Sequence, residues 1–246
     1  MGLKAAPDDQ RLLLDLQALD TKLGQIDHKA KSLPQIAELA GLSSEVATAR
    51  QAVATAQGAA EDVRIELGRL ESDVDLVEKR IARDTARLET TSSVKDVQAL
   101  EQELAALRKR RDDLEEIELA VMERQEGFES DLATVQGTLD GFTGRQRDLE
   151  TSRDEALVEL RNERTHIAAN RSTIAAKIPA DLLDLYERQR GRYGWGASLL
   201  QYGSSMANGV KLQENDLASI RAAAPDDVII CPVSDAILVR TAESGL

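Results

Sequence analysis

From Leu39 onward apolar residues recur every seven positions, and no other property of the chain restricts its fold as strongly. Leu39, Val46, Val53, Ala60, Leu67, Val74, Ile81 and Leu88 form one row, and Leu42, Ala49, Ala56, Val63, Leu70 and Val77 form its companion. A 3.5-residue spacing held this long keeps one stripe against a partner helix and implies a left-handed supercoil. Asp84 is the first break in the companion row. No proline lies between Pro34 and Pro179, as very long helices require, because an interior proline costs about 3 kcal/mol. A helix from Pro34 to Glu89 would run about 80 Å at the α-helical rise.

Thr90-Thr91-Ser92-Ser93 stops this repeat, and such residues favour turns and caps by competing for backbone hydrogen bonds. Ser93, with Asp96 three residues on, can start a new helix. The next seam is Leu100, Leu107, Leu114, Val121, Phe128, Val135, Phe142, Leu149 and Ala156, with polar Arg111, Glu118 and Gln125 interrupting its companion row. These polar residues either set the register or lay their stems along the seam. A return helix after a short turn packs antiparallel on the helix before it, which predicts a hairpin with its tip near 90–95. Gly137, Gly141 and Gly144 weaken the returning helix and predict a kink or hinge. Upstream, Leu16, Leu19, Leu23 and Ile26 mark a short first helix that Asp8 or Asp9 can cap, and Ser32-Leu33-Pro34 predicts a break or restart.

Composition agrees with helices packed in pairs rather than with a thick globular core. Of 246 residues only 2% are aromatic while 30% are charged. The formal charge is −13, and neither the segment before Ala180 nor that after it is net basic, so binding of a duplex along the body is disfavoured. One cysteine excludes an internal disulfide. The N-terminal residues lack an apolar signal core and no run approaches a membrane span, so a cytoplasmic protein without membrane association is expected. No Gly-rich phosphate loop, GxSxG or His-rich metal motif is present, and an enzyme is not expected.

Ile178-Pro179-Ala180-Asp181 closes the long helices, and Asp181 is positioned to cap a short helix over Leu182 to Arg190. Gly191, Gly194, Gly196 and Gly203 read as loop. Val210-Lys211-Leu212, a helical stretch from Glu214 to Ala223, and the β-like runs Val228-Ile229-Ile230 and Ala236 to Val239 complete a small α+β module. The expected division is a helical hairpin domain over 1–179 and a separate module over 180–246. Cys231, with no basic neighbour in sequence, reads as a small buried hydrophobe.

Ser32 to Leu39, Thr91-Ser92-Ser93-Val94-Lys95, Ile178 to Arg188, and the tail from Asp216 to the end together resemble the bacterial C4-type zinc-ribbon coiled-coil family, especially its actinobacterial members. The resemblance covers essentially the whole chain and is most specific in the tail. It implies a mainly α fold: a long antiparallel coiled-coil hairpin followed by a small α+β zinc-ribbon-like module with two CxxC knuckles. By position the knuckles fall on Ser205 to Asn208 and on Cys231 to Ser234. The four ligand places are therefore Ser205, Asn208, Cys231 and Ser234, and a single thiolate among them does not suit tetrahedral zinc. Zinc is expected in the family and not here, and no other cofactor is expected.

The resemblance also implies a non-enzymatic adaptor or regulatory protein associated with nucleic acid through its C-terminal module. Arg188, Arg190 and Arg192 beside Tyr193 and Trp195, with Lys211, Arg221 and Arg240, are the candidate contacts, since arginine and aromatic groups together hold phosphate and stack on bases. The same arginines would also serve simply to solvate a helix C-terminus. The alternative is a scaffold that binds a partner protein through the hairpin and no nucleic acid. Any RNA or DNA binding is expected to be weak. A monomer folded on itself is expected from the short turn at the tip, with pairing between chains as the other way to satisfy the same heptads.

Overall fold

The computed structural model describes residues 2–245. The chain is mainly α. Helix α1 spans Pro7–Lys31, α2 Pro34–Thr90, α3 Val94–Ala175 and α4 Ala180–Tyr193. Five short strands follow, β1 (Ala197–Gln201), β2 (Ser204–Ser205), β3 (Val210–Lys211), β4 (Ile229–Ile230) and β5 (Ile237–Val239), with helix α5 (Glu214–Ala222) between β3 and β4. Two compact units divide the chain, Gln35–Thr151 in one and Met1–Pro34 with Ser152–Leu246 in the other.

The unit Gln35–Thr151 is the antiparallel hairpin that the heptads predict. Its turn is Thr91–Ser93, where the amide of Asp96 reaches the Ser93 hydroxyl at 3.5 Å. Ion pairs between the two helices, Arg80 with Glu103, Arg124 with Glu66 and Arg145 with Glu38, step away from the turn on both sides, as antiparallel packing requires. Leu42, Val46, Ala49, Val53 and Val63 of α2 are buried, as are Leu100, Leu104, Leu114 and Val121 of α3. Burial of each such side chain contributes on the order of 1.5–3 kcal/mol. The half-buried Arg111 and Gln125 turn their polar ends along their own helix, to Asp112 and Glu115 and to Glu129.

The glycine hinge is not seen as a break. Gly137, Gly141 and Gly144 lie inside the uninterrupted α3. Three separated losses of up to about 1 kcal/mol each do not end a helix whose flanking turns keep their hydrogen bonds and packing. Asp84, in contrast, is a real defect in the seam. Its side chain is 3% exposed, its nearest cations are Arg80, Arg83 and Arg87 of its own helix at 3.7–3.8 Å, and Oδ2 has no hydrogen-bond partner.

The other unit departs from the expected division at residue 179. Its sheet has the order β3-β2-β1-β5-β4, with β1 and β5 parallel and the remaining pairs antiparallel. Leu13 and Leu16 of α1 pack with Ile178, Leu182, Tyr186, Ala197, Ile237 and Val239 in one core cluster, so the first helix joins the C-terminal module. The N-terminal residues extend this union: the Ala5 amide donates to the Asp226 carbonyl at 2.8 Å and the Val228 amide to the Leu3 carbonyl at 3.1 Å. A second cluster of Leu200, Leu212, Leu217, Ile220, Cys231 and Leu238 fills the space between the sheet and α5. Ile26, Leu33 and Leu160 join the first helix to the end of α3.

Two local expectations are corrected here and a third is met. Ala6 and Pro179 occupy the N-cap positions of α1 and α4, with no side-chain cap, so Asp8, Asp9 and Asp181 sit inside the first turns, where their charge meets the helix dipole instead. The glycine-rich segment after α4 is not all loop, because Ala197–Gln201 forms the central strand. The break at Ser32-Leu33 is present, and Pro34 opens α2 as its first residue.

Candidate functional site

A buried polar network sits where α1, α3 and α4 meet. Tyr186 is fully buried, and its hydroxyl donates to Oδ2 of Asp20 at 2.7 Å. Arg171 of α3 binds Asp20 through Nε at 2.6 Å and through a second nitrogen at 3.0 Å, and also reaches Glu187 at 2.5 Å. Arg190 completes the group, 2.9 Å from Glu187 and 3.5 Å from Asp20. Two parallel bonds to one carboxylate give this pair its geometry. Burial, and then the bond to Asp20, raises the Tyr186 phenol well above its ordinary range. The bond to Asp20 likewise strengthens the hold of Arg171 on its proton.

The network also fixes the first strand. Oε1 of the buried Gln17 accepts from the amides of Gly196 at 2.8 Å and Ala197 at 3.3 Å, which sets where β1 begins. Gly196 is required there for space, since a Cβ would overlap the Tyr186 ring. Gln17, Asp20 and Arg171 are absent from the sequence-based candidates. A polar residue on an apolar helix face was the available signal at Gln17 and Asp20, and neither has a periodicity that singles it out.

The candidate nucleic-acid contacts do not form one surface. Arg190 is spent in the network just described. Arg221 pairs with Glu214 at 2.8 Å. Arg240 donates to the carbonyls of Ile220, Ala223, Ala224, Pro225 and Asp227 at 2.6–3.3 Å, closing the end of α5. It is therefore a capping residue, its two terminal nitrogens meeting the carbonyls at the helix end and in the turn beyond it. Arg188 and Lys211 are exposed, and Arg192 lies 5.3 Å from the centre of the exposed Tyr193 ring. Trp195 is half-buried and turns to a different feature, a groove of about 380 Å³ that it lines with Leu14, Ala18, Leu199, Met206 and Lys22.

The four places that the resemblance assigns to zinc ligands lie on two matched turns. The Gly209 amide donates to the Ser205 carbonyl at 2.9 Å, and the Asp235 amide to the Cys231 carbonyl at 3.0 Å. Gly209 and Asp235, at equivalent places, both have left-handed backbone, φ 68° and 56°. The donor set does not fit a zinc ion. Cys231 is the lone thiol and is packed among Leu200, Leu212, Leu217, Ile220 and Leu238. The Ser205 hydroxyl is already engaged by Ser198 and Ser234, and Asn208 is exposed with its Oδ1 accepting from the Val210 amide. Among the described residues no group of three or more His, Cys, Asp or Glu side chains is placed to hold a metal.

Comparison with known proteins places the whole of this architecture. The chain belongs to the family of CT398-like coiled coil hairpin domains, whose model matches residues 16–194. An uncharacterized protein of Mycobacterium tuberculosis is 35% identical over 239 residues, 97% of this chain and 98% of that protein. A solved structure from Mycobacterium smegmatis is 34% identical, covers 97% of this chain and 100% of its own, and superposes with a TM-score of 0.85. The structure of CT398 from Chlamydia trachomatis has the same fold at 19% identity, with a TM-score of 0.62 over 94% of this chain and 97% of its own. Among the described residues no helix is long and apolar enough to cross a membrane.

Proposed function

We propose that this chain is a non-enzymatic scaffold that binds a partner protein, with the groove beside Trp195 as its docking place. The groove carries this reading. Leu14, Ala18, Trp195, Leu199 and Met206 give it an apolar wall, and among the described residues Lys22 is the only charged one that lines it. Such a wall fits a partner segment that presents a bulky apolar side chain beside a carboxylate. The hairpin supplies reach and rigidity without any chemistry of its own. The scaffold is expected to act in the cytoplasm as a monomer, which sedimentation of the purified chain checks.

Nucleic-acid association is the second reading, favoured by the exposed Arg188 and by the Arg192–Tyr193 stack. It is weakened by the internal use of Arg190, Arg221 and Arg240. Paired variants separate the two. Under the scaffold reading, Ala18→Glu with Met206→Glu abolishes capture of a protein partner, and Arg188→Ala with Arg192→Ala leaves it unchanged. A salt-sensitive gel shift with RNA or DNA, lost in the arginine variant and kept in the groove variant, would reverse the order.

A further inference from the structure

We propose that a buried cluster of serine hydroxyls has replaced a metal as the cross-link between the two turns of the C-terminal module, so that the module folds independently of metal. The turns at 205–209 and 231–235 share the same spacing, the same backbone hydrogen bond and a left-handed residue in the same place. Equivalent turns facing one another are what a tetrahedral ion would bridge, with i and i+3 supplying the ligands. Here the bridge is made of hydroxyls. Ser205 on β2 is fully buried, and its Oγ lies 3.0 Å from Oγ of Ser198 on β1 and 3.3 Å from Oγ of Ser234 in the second turn.

Ser198 makes the arrangement self-sufficient. Its Oγ accepts from the Ala207 amide at 2.8 Å, inside the first turn, so one hydroxyl chain runs from β1 through both turns. A hydroxyl both donates and accepts, and three in series can satisfy one another without an ion. Beneath them the second core cluster takes in the Cys231 side chain, which is fully buried. A thiol held there is a packing group and not a ligand. The module thereby exchanges a bond that chelators and oxidants break for one that neither attacks.

The test uses the full chain, expressed in zinc-supplemented medium and purified without chelator. Metal analysis is expected to find zinc far below one ion per chain, and the melting temperature to be the same with and without a chelator. Ser205→Ala and Ser234→Ala are each expected to lower the melting temperature by about 3 °C, equally with and without chelator. The double variant should lose less than the sum of the two, because both remove the same bond. Should Ser205→Ala fail to fold, the partly exposed Ser234→Ala carries the measurement. Stoichiometric zinc, a melting temperature that falls on chelation, or serine variants that melt like the parent would each overturn the proposal.

Discussion

The hydroxyl of Tyr186 donates to Oδ2 of Asp20 across 2.7 Å, joining α4 to a helix 166 positions earlier in the chain. The same carboxylate receives Arg171 from α3, so one buried anion ties three helices together. Arg171→Met removes its main counter-charge and leaves it with Tyr186 and the more distant Arg190. A loss of about 3 kcal/mol is expected in chemical denaturation, in line with other broken buried pairs. The double variant Asp20→Asn with Arg171→Met should recover part of that loss.

The same pair makes stability depend on alkaline pH. Burial, and then the bond to Asp20, holds the Tyr186 phenol protonated above its ordinary value of 10.0 in the folded chain. A raised folded-state value means that the stabilisation is complete below the unfolded value and is lost as pH rises past it. Stability should therefore fall by about 1.4 kcal/mol per pH unit above pH ~10 from this group alone. Tyr186→Phe should be less stable by about 1 kcal/mol at neutral pH and show a shallower alkaline slope. Equal slopes for the two proteins would disprove the linkage.

Asp84 offers the opposite experiment. Its carboxylate occupies a seam position near the hairpin turn with one oxygen unbonded, and its cations stand at 3.7–3.8 Å. Asp84→Leu would restore the heptad row that Asp84 interrupts. Replacing a poorly compensated buried ion with a packed hydrophobe is expected to stabilise by about 1–2 kcal/mol. Hydrogen exchange near the turn should slow along with the rise in melting temperature.

Arg240 tests the division between structure and recognition. Arg240→Ala leaves the carbonyls of Ala223 and Ala224 without the donor that closes α5, and about 2–3 kcal/mol of stability should be lost. Arg240→Lys should recover less than half, because one ammonium cannot span five carbonyls. If instead the alanine variant keeps its stability and loses nucleic-acid binding, Arg240 is a contact residue after all.

The hairpin was legible because it is one-dimensional. A seven-residue period names both the buried face and the partner, and the residues it selects, from Leu42 to Val63 and from Leu100 to Val121, are those found in the seam. The tail's helix and its last two strands were legible from local composition. What could not be read was pairing over long separations. Nothing local in Ala197–Leu199 says that it lies parallel to Ile237–Val239, or that Leu13 and Leu16 close the same core. The arginines misled for a related reason: Arg190 and Arg240 look like free cations until their distant carboxylates and carbonyls are in view. Ser198 passed unnoticed because a lone serine in a strand carries no sequence signal.

The packing of the first helix on the last strand has a consequence for synthesis. Leu13 and Leu16 leave the ribosome long before Ile237 and Val239, which complete their cluster. The hairpin of residues 35–151 can close while the chain is still growing. Helix α1 must wait with part of its apolar stripe uncovered until the strand that shelters it has been made. Translation interrupted before Ile237 would therefore leave a protein whose long hairpin is sound and whose helix α1 is a target for chaperones and proteases.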